Sequence, residues 1–293
     1  MSRSSLARLA LLALLWGSSF LWIKLALRGF TPVQIVFVRL ALGAAVLAPI
    51  ALARGLRFPT NRKTWAHLFI AALVATAIPY TLFGIGEQTV GSNVAGVLNA
   101  TTPVWTVLIA SVAGTDRVTS VRRGLGITLG FAGTVLIFSP WESAGEIASW
   151  GGLACLAASA SYGIGYVYMG RYLTNRGIPP LMLSTSQLAA GTVLIALAMP
   201  FGGLAAPNWR ADAVASLLIL GILGTGIAYL LNYRLIADEG ATAASTTIYL
   251  LPIVAVVLGA LVIDEPTTTP MIVGMLLVLA GVALAQRKPS QTL

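Results

Sequence analysis

Two apolar stretches of the chain carry polar residues, with a glycine and prolines, at spacings of mostly three and four residues, which places them on one face of a helix. In the first stretch, 90–113, these residues are Asn93, Gly96, Asn99 and Pro103. The second stretch, 240–263, repeats the pattern with Thr242, Ser245, Thr246, Tyr249 and Pro252. Such faces either line a wet cavity, where amides and hydroxyls bind a ligand, or pack helix against helix with polar contacts.

Aromatic residues with a polar atom form the second group of candidate binding residues. Trp16 and Tyr162 fall near the middle of apolar segments, too deep for an interfacial belt. Tyr80 and Tyr229 occupy corresponding places in two other segments, and Asn232 follows Tyr229 after about one turn. A buried phenol or indole needs a hydrogen-bond partner, which is either a ligand or water in a cavity or a backbone carbonyl in the core.

Arg39 is the most informative single residue, because it lies about two turns inside the apolar stretch 32–53. A guanidinium at such depth is costly in lipid. It either binds an anionic group of a ligand or braces neighbouring helices. Lys24 lies nearer a helix end, where its side chain can extend to the interface.

Carboxylates are expected only in loops or at the rims of the apolar segments. The nine acids are Glu87, Asp116, Glu142, Glu146, Asp212, Asp238, Glu239, Asp264 and Glu265. A cavity without acids argues against carriers of cationic drugs and suits neutral or zwitterionic solutes. A ligand carboxylate would then meet Arg39, and an ammonium group would meet aromatic faces or carbonyls.

The sequence contains no pattern typical of an enzyme or a metal site. Cys155 and His67 are the only cysteine and histidine, and neither has partners at ligand spacing. Glycine-rich Gly124–Gly130 lacks the preceding strand of a dinucleotide fingerprint. We therefore expect no catalytic residue, no cofactor and no bound metal.

Composition indicates that lipid surrounds the chain. Of its 293 residues 57% are apolar and only 9% are charged, with a mean hydropathy of +0.88. We predict an all-α integral membrane protein, because each crossing needs about 20 apolar residues. The ten predicted transmembrane helices are 6–27, 32–53, 64–86, 90–113, 121–139, 149–170, 180–201, 212–234, 240–263 and 268–286.

The net charge of +9 predicts topology rather than nucleic-acid binding. With the amino terminus inside, fourteen of the 18 Lys and Arg residues lie on the inner side and two on the outer side. Short loops with this asymmetry follow the positive-inside rule. Both termini are thus expected in the cytoplasm, with basic loops facing anionic lipid heads.

The two halves of the chain, 1–146 and 147–293, read as five-helix repeats. Landmark residues recur in the same order at a separation of 149, namely Pro103 and Pro252, Tyr80 and Tyr229, and Gly91 and Gly240. Because five is odd, the second repeat must be inverted in the membrane. Inverted repeats build a site near the midplane that opens to either side in turn, which favours a transporter.

The start of the chain resembles an EamA domain. The residues that carry this resemblance are Leu15-Trp16-Gly17-Ser18-Ser19-Phe20, Lys24, Pro32 and Arg39. Two such domains form a ten-helix carrier of the drug/metabolite transporter superfamily. The second half departs from this pattern, with Tyr162 for the Trp, Gly170 for Lys24 and Gln187 for Arg39. Any role of Lys24 or Arg39 therefore belongs to one half.

The resemblance implies a secondary transporter of the bacterial inner membrane that exports small metabolites, with amino acids as the leading class. Alternatives are the same fold carrying nucleotides, sugars or drugs, and more distantly a channel or a membrane enzyme. The candidate substrate-binding residues are Trp16, Arg39, Tyr80, Asn99, Tyr162, Tyr229, Asn232, Ser245 and Tyr249. The glycine-rich fifth and tenth segments are assigned to support.

Overall fold

The computed structural model describes residues 2–90, 92–114, 121–139, 141, 144–262 and 268–286. This part of the chain is helical and contains no strand. Predictions concerning Gly91 and the side chains of Lys24 and Asn93 fall outside the described residues.

The helices follow the predicted segments closely. In the first half they are α1 Arg3–Gly17, α2 Ser19–Ala26, α3 Pro32–Ala53, α4 Arg62–Ala72, α5 Ile78–Gly86, α6 Ser92–Asn99, α7 Thr102–Val112 and α8 Val121–Phe138. In the second half they are α9 Ala144–Ile147, α10 Trp150–Tyr172, α11 Pro180–Ala198, α12 Ala211–Gly221, α13 Ala228–Glu239, α14 Ala241–Ser245, α15 Leu251–Val262 and α16 Thr269–Gln286.

Two π-helical segments interrupt the helices at matching places. Leu73–Ala77 joins α4 to α5, and Ile222–Ile227 joins α12 to α13. The two segments begin 149 residues apart, which is the separation of the sequence landmarks. A π segment displaces carbonyls from the regular helical hydrogen-bond pattern, so that other donors can reach them.

Local signals set the helix starts. Thr31 and Gln34 form a reciprocal capping box, and Pro32 occupies the first turn of α3, where its missing N–H costs nothing. Ser149 caps α10 by accepting a hydrogen bond of 3.1 Å from the Gly152 N–H. The capping box and Pro32 explain why the start of α3 was predicted to the residue.

Within the described ranges, six helical segments are long and apolar enough to cross a membrane. They are Arg3–Ile23, Pro32–Ala53, Arg62–Gly86, Val94–Val112, Pro180–Phe201 and Ala211–Glu239. Shorter apolar helices cover Gly124–Ile137, Ala241–Val254 and Thr269–Leu284. Large apolar side chains such as Leu197 and Leu276 are exposed on the outside of the bundle. The prediction of an all-helical membrane protein is therefore confirmed.

Helix pairing brings the two halves together. Helix α3 packs against α11, α5 against α10, α2 against α12, and α8 against α16. The helices of the last pair approach closely: a Cβ atom built on Gly281 would lie only 2.5 Å from the carbonyl oxygen of Gly126. Small residues let these two backbones touch.

Candidate functional site

A partly open cavity lies between the two halves. Both halves supply its walls. The lining residues are Trp16, Ser19, Ile23, Arg39, Ala75, Tyr80, Phe83, Glu87, Asn99, Tyr162, Tyr166, Met169, Tyr229, Asn232, Ile248 and Leu251. Helices α8 and α16 contribute no described residue to the lining.

Seven of the nine candidate binding residues line this cavity, and two do not. Those that line it are Trp16, Arg39, Tyr80, Asn99, Tyr162, Tyr229 and Asn232. Ser245 is fully buried, and its hydroxyl donates to the Thr242 carbonyl at 2.9 Å within the same helix. Tyr249 is also fully buried and packs on α8, where a Cβ on Gly130 would meet its ring at 2.7 Å.

The displacement of Tyr249 has a local cause. Residues Thr246–Leu250 form a 3₁₀ helix instead of continuing α14. Each residue of a 3₁₀ helix turns through about 120° rather than about 100°, so five residues rotate the face by roughly 100°. Ile248 and Leu251, three residues apart, consequently face the cavity.

Arg39 is buried in the cavity wall with 5% of its surface exposed. Its Nε–H donates to the hydroxyl of Thr225 at 3.0 Å, and its guanidinium carbon lies 3.9 Å from the centroid of the Tyr80 ring. Among the described residues no carboxylate forms an ion pair with Arg39, and its terminal nitrogens make no hydrogen bond. The side chain is thus held in place while its charge remains available to a ligand.

An aromatic wall continues from Tyr80. The Tyr80 and Tyr162 rings meet edge to face with centroids 6.2 Å apart, and Phe83 stacks on Tyr162 at 6.0 Å. Helices α5 and α10 therefore present an extended apolar surface to the cavity. Ring faces of this kind attract cations and pack against apolar groups.

Trp16 and Tyr229 both use their polar atoms on backbone carbonyls of the π segments. The Trp16 Nε1–H donates to the carbonyl of Gly224 at 3.1 Å, and the Tyr229 hydroxyl donates to the carbonyl of Ala75. The two rings meet edge to face at 6.4 Å. Their rings therefore line the cavity while their polar atoms satisfy the backbone, which combines the two alternatives left open by the sequence.

Three buried polar groups in the lining have no hydrogen-bond partner among the described residues. They are Asn99 Oδ1, Asn232 Oδ1 and the Tyr166 hydroxyl. Each residue is at most 7% exposed. Orphaned groups at such burial are expensive unless water or a ligand meets them. Tyr166 was not among the candidates, although its position four residues after Tyr162 placed it on the same helical face.

The expectation of an acid-free cavity is wrong, because Glu87 lines it. Glu87 caps the end of α5 and so occupies the helix rim, as the sequence predicted. The signal that was overlooked is the series Tyr80, Phe83 and Glu87, whose spacings of three and four put all three on one face.

Gln187 stands where the second half would need a counterpart of Arg39, and it lies outside the cavity lining. Its Oε1 accepts a hydrogen bond from the Tyr233 hydroxyl, and its Nε2 is 3.4 Å from the Ala71 carbonyl. Gln187 is fully buried and links α11 to α13 and α4. The two halves therefore differ both in the residue type at this position and in its location, because Arg39 lines the cavity and Gln187 does not.

Comparison with known proteins assigns this architecture to a family. The family model described as "EamA-like transporter family" matches residues 5–139 and again 149–286. The chain is 27% identical to the uncharacterized transporter YdfC of Bacillus subtilis over 94% of its own length and 88% of the relative's. It is also 27% identical to the uncharacterized inner membrane transporter YedA of Escherichia coli K12, over 85% and 79% respectively.

Similar coverage is found in archaea and among solved structures. An uncharacterized transporter of Archaeoglobus fulgidus is 25% identical over 96% of this chain and 98% of that protein. One crystal structure, 20% identical, superimposes with a TM-score of 0.76 over 97% of both chains and supports the fold. The chain therefore belongs to the EamA-like transporter family, within the drug/metabolite transporter superfamily.

Proposed function

We propose that this protein is a secondary carrier that exports small zwitterionic metabolites, foremost amino acids, across the bacterial inner membrane by alternating access. The observation that carries the proposal is the Arg39 guanidinium, which lines an aromatic cavity without a carboxylate partner among the described residues. We propose no reaction chemistry and no catalytic residue, so the substrate is transported without chemical change.

Arg39 is suited to a carboxylate. The bond from Nε to Thr225 and the stacking on Tyr80 fix the plane of the guanidinium. A fixed guanidinium presents its terminal N–H groups as a fork that matches the two oxygens of a carboxylate. Thr225 occupies only one of the nitrogens, which supports a binding role for Arg39 in addition to this bracing contact.

Other groups in the cavity, namely uncharged acceptors and aromatic rings, suit an ammonium group and an apolar side chain. Asn99 Oδ1 and Asn232 Oδ1 are acceptors that receive no hydrogen bond from the part of the chain that the structure describes, and the Tyr166 hydroxyl can also accept. The rings of Trp16 and Tyr162 supply apolar and cation-attracting faces. A zwitterion with an apolar side chain would use all three kinds of surface.

Reciprocal contacts support two inverted repeats, 1–146 and 147–293, and hence ten crossings. A Cβ built on Gly17 would lie 2.8 Å from Val254, and one built on Gly163 would lie 2.7 Å from Trp105. Gly163 follows Gly17 by 146 residues, and Val254 follows Trp105 by 149. A two-fold axis that exchanges the halves would generate this pairing, and basic inner loops would place both termini in the cytoplasm.

Alternating access would use the π segments as points of bending. Ala75 and Gly224 are 149 residues apart, and each accepts a hydrogen bond from a ring that lines the cavity. Substrate that displaces Trp16 or Tyr229 would therefore act directly on Leu73–Ala77 or Ile222–Ile227. Irregular helices are tolerated in membranes where they line a cavity.

The rival functions make different demands. A carrier of nucleotides or sugars would use the same fold with other ligands, and a channel would need a continuous polar path. A membrane enzyme would need clustered acids or metal ligands, and the described residues contain no group of three such side chains able to hold a metal ion. The cavity walls are mainly aromatic and aliphatic, which favours a carrier.

Counterflow into proteoliposomes tests the substrate class. Vesicles loaded with unlabelled amino acids, sugars or nucleotides would be challenged with the same labelled compound, with and without a pH gradient. Saturable accumulation of amino acids alone supports the proposal. Accumulation of sugars or nucleotides alone assigns the fold to those substrates, and single-channel currents contradict a carrier.

A further inference from the structure

Glu87 and Arg39 line the same cavity although they come from different helices. Arg39 belongs to α3, while Glu87 ends α5 and Tyr80 lies near the start of that helix. The Arg39 guanidinium rests on the Tyr80 ring. One carboxylate and one guanidinium thus occupy the two ends of the wall that α5 presents to the cavity.

The separation of Tyr80 and Glu87 along the backbone follows from helix geometry. Tyr80 and Glu87 are seven residues apart, so their backbones are about 10 Å apart along the axis of α5. An α-amino acid carries its carboxylate and ammonium on one carbon, and a charge-assisted hydrogen bond at each end adds about 3 Å. A zwitterion that bridges a guanidinium and a carboxylate is therefore of a size that fits along a wall of this length.

Packing holds the end of α5 that carries Glu87. A Cβ built on Gly86 would lie 2.5 Å from the Cys155 sulfur of α10, which leaves no room between the helices. Phe83, one turn before Glu87, is buried in the same cluster as Cys155. The backbone that carries Glu87 is therefore held by a contact between helices.

We infer that Glu87 binds the ammonium group of an amino acid whose carboxylate binds Arg39, and that Glu87 thereby selects zwitterions over simple carboxylates. This inference rests on the proposed function and adds a carboxylate to the neutral acceptors proposed there for the amino group. Phe83 and Tyr162, between the two charges, would hold an apolar side chain.

Equilibrium binding to the full-length protein in detergent tests this assignment. Labelled phenylalanine serves as the ligand, and 3-phenylpropionate, which lacks the amino group, serves as the competitor. For Glu87→Gln we expect the Kd of phenylalanine to rise at least about tenfold, because a charge-assisted bond is lost. The inhibition constant of 3-phenylpropionate is expected to stay within about twofold of wild type. Glu239→Gln, at a carboxylate outside the cavity lining, is the matched control.

The outcomes separate the two proposals. Equal shifts for both ligands, or none for phenylalanine, overturn the role of Glu87 while wild-type binding leaves the proposed function standing. Wild-type protein that binds neither ligand contradicts the proposed function and this inference together. If Glu87→Gln is not recovered folded, Glu87→Asp decides, because a retained charge should preserve the preference for phenylalanine and a lost preference counts against the assignment.

Discussion

The guanidinium carbon of Arg39 lies 3.9 Å from the centroid of the Tyr80 ring, in the wall of a cavity formed by both halves of the chain. A cation over an aromatic face is stabilised by the ring quadrupole, the more so where water is excluded. Thr225 holds the same side chain from the second half. The buried guanidinium of Arg39 is therefore held by one residue from each half of the chain.

Replacement of Arg39 by Gln separates binding from bracing. Gln is the residue that the second half carries at the matching position, so we expect Arg39→Gln to insert and fold. Loss of a charge-assisted contact should weaken substrate binding at least about tenfold. Uptake into proteoliposomes and yield after size-exclusion chromatography measure the two effects.

Arg54→Gln is the control for this variant, because Arg54 is exposed at the end of the same helix. It should leave uptake unchanged. Complete loss of Arg39→Gln protein from the membrane would mean that Arg39 braces the bundle rather than binding substrate.

Tyr80 and Tyr229 should matter for transport more than for folding. Truncation to Ala removes a ring from the cavity wall, and we expect uptake to fall at least about tenfold for Tyr80→Ala and for Tyr229→Ala. Tyr80→Phe keeps the face on which Arg39 rests and should retain most uptake. Tyr172→Ala, at a partly exposed ring outside the cavity lining, is the control. Normal uptake by both Ala variants would remove these rings from the site.

Inverted halves predict opposite labelling of corresponding loops. Thr60 precedes α4 and Asn208 precedes α12, and both are exposed. In a background with the buried Cys155 replaced by Ala, Thr60→Cys should react with an impermeant maleimide only from the inside, and Asn208→Cys only from the outside. Labelling of both from one side would show that the halves are oriented alike.

The contact between α8 and α16 should control stability without changing substrate affinity. In Gly281→Leu the new side chain would meet the backbone of Gly126 and Gly130 at 2.5 Å. Overpacking of this kind costs about 1–3 kcal/mol, so thermal unfolding in detergent should occur at lower temperature. Gly124→Leu is the control, because a Cβ there meets nothing within 4 Å. A changed substrate affinity in folded Gly281→Leu would place these helices in the binding machinery.

The helix ends were largely predictable because their signals are local. The segment predicted as 32–53 is the helix Pro32–Ala53, whose start is set by Thr31, Pro32 and Gln34. The π segments were not predicted, since they depend on distant donors such as Tyr229. The EamA resemblance is confirmed, whereas the number of crossings, the domain limits and the orientation remain predictions.

The candidate site was predictable where burial of a polar aromatic residue is itself the signal. Trp16, Tyr80, Tyr162 and Tyr229 line the cavity as expected. Tyr249 faces α8 instead, because a change of helix type after Ser245 rotates the chain, and helical spacing alone does not reveal such a change. The depth of a residue along a helix likewise does not show whether it lines a cavity. Glu87 was expected at the helix rim and was therefore wrongly excluded from the cavity wall.

Accumulation driven by exchange tests the central claim most directly. Proteoliposomes preloaded with an unlabelled neutral amino acid should take up the labelled compound faster than empty vesicles, with a rate that saturates as its external concentration rises. The account predicts both features, because one site must face the two sides in turn. Uptake that is unaffected by preloading and rises in proportion to concentration would contradict it.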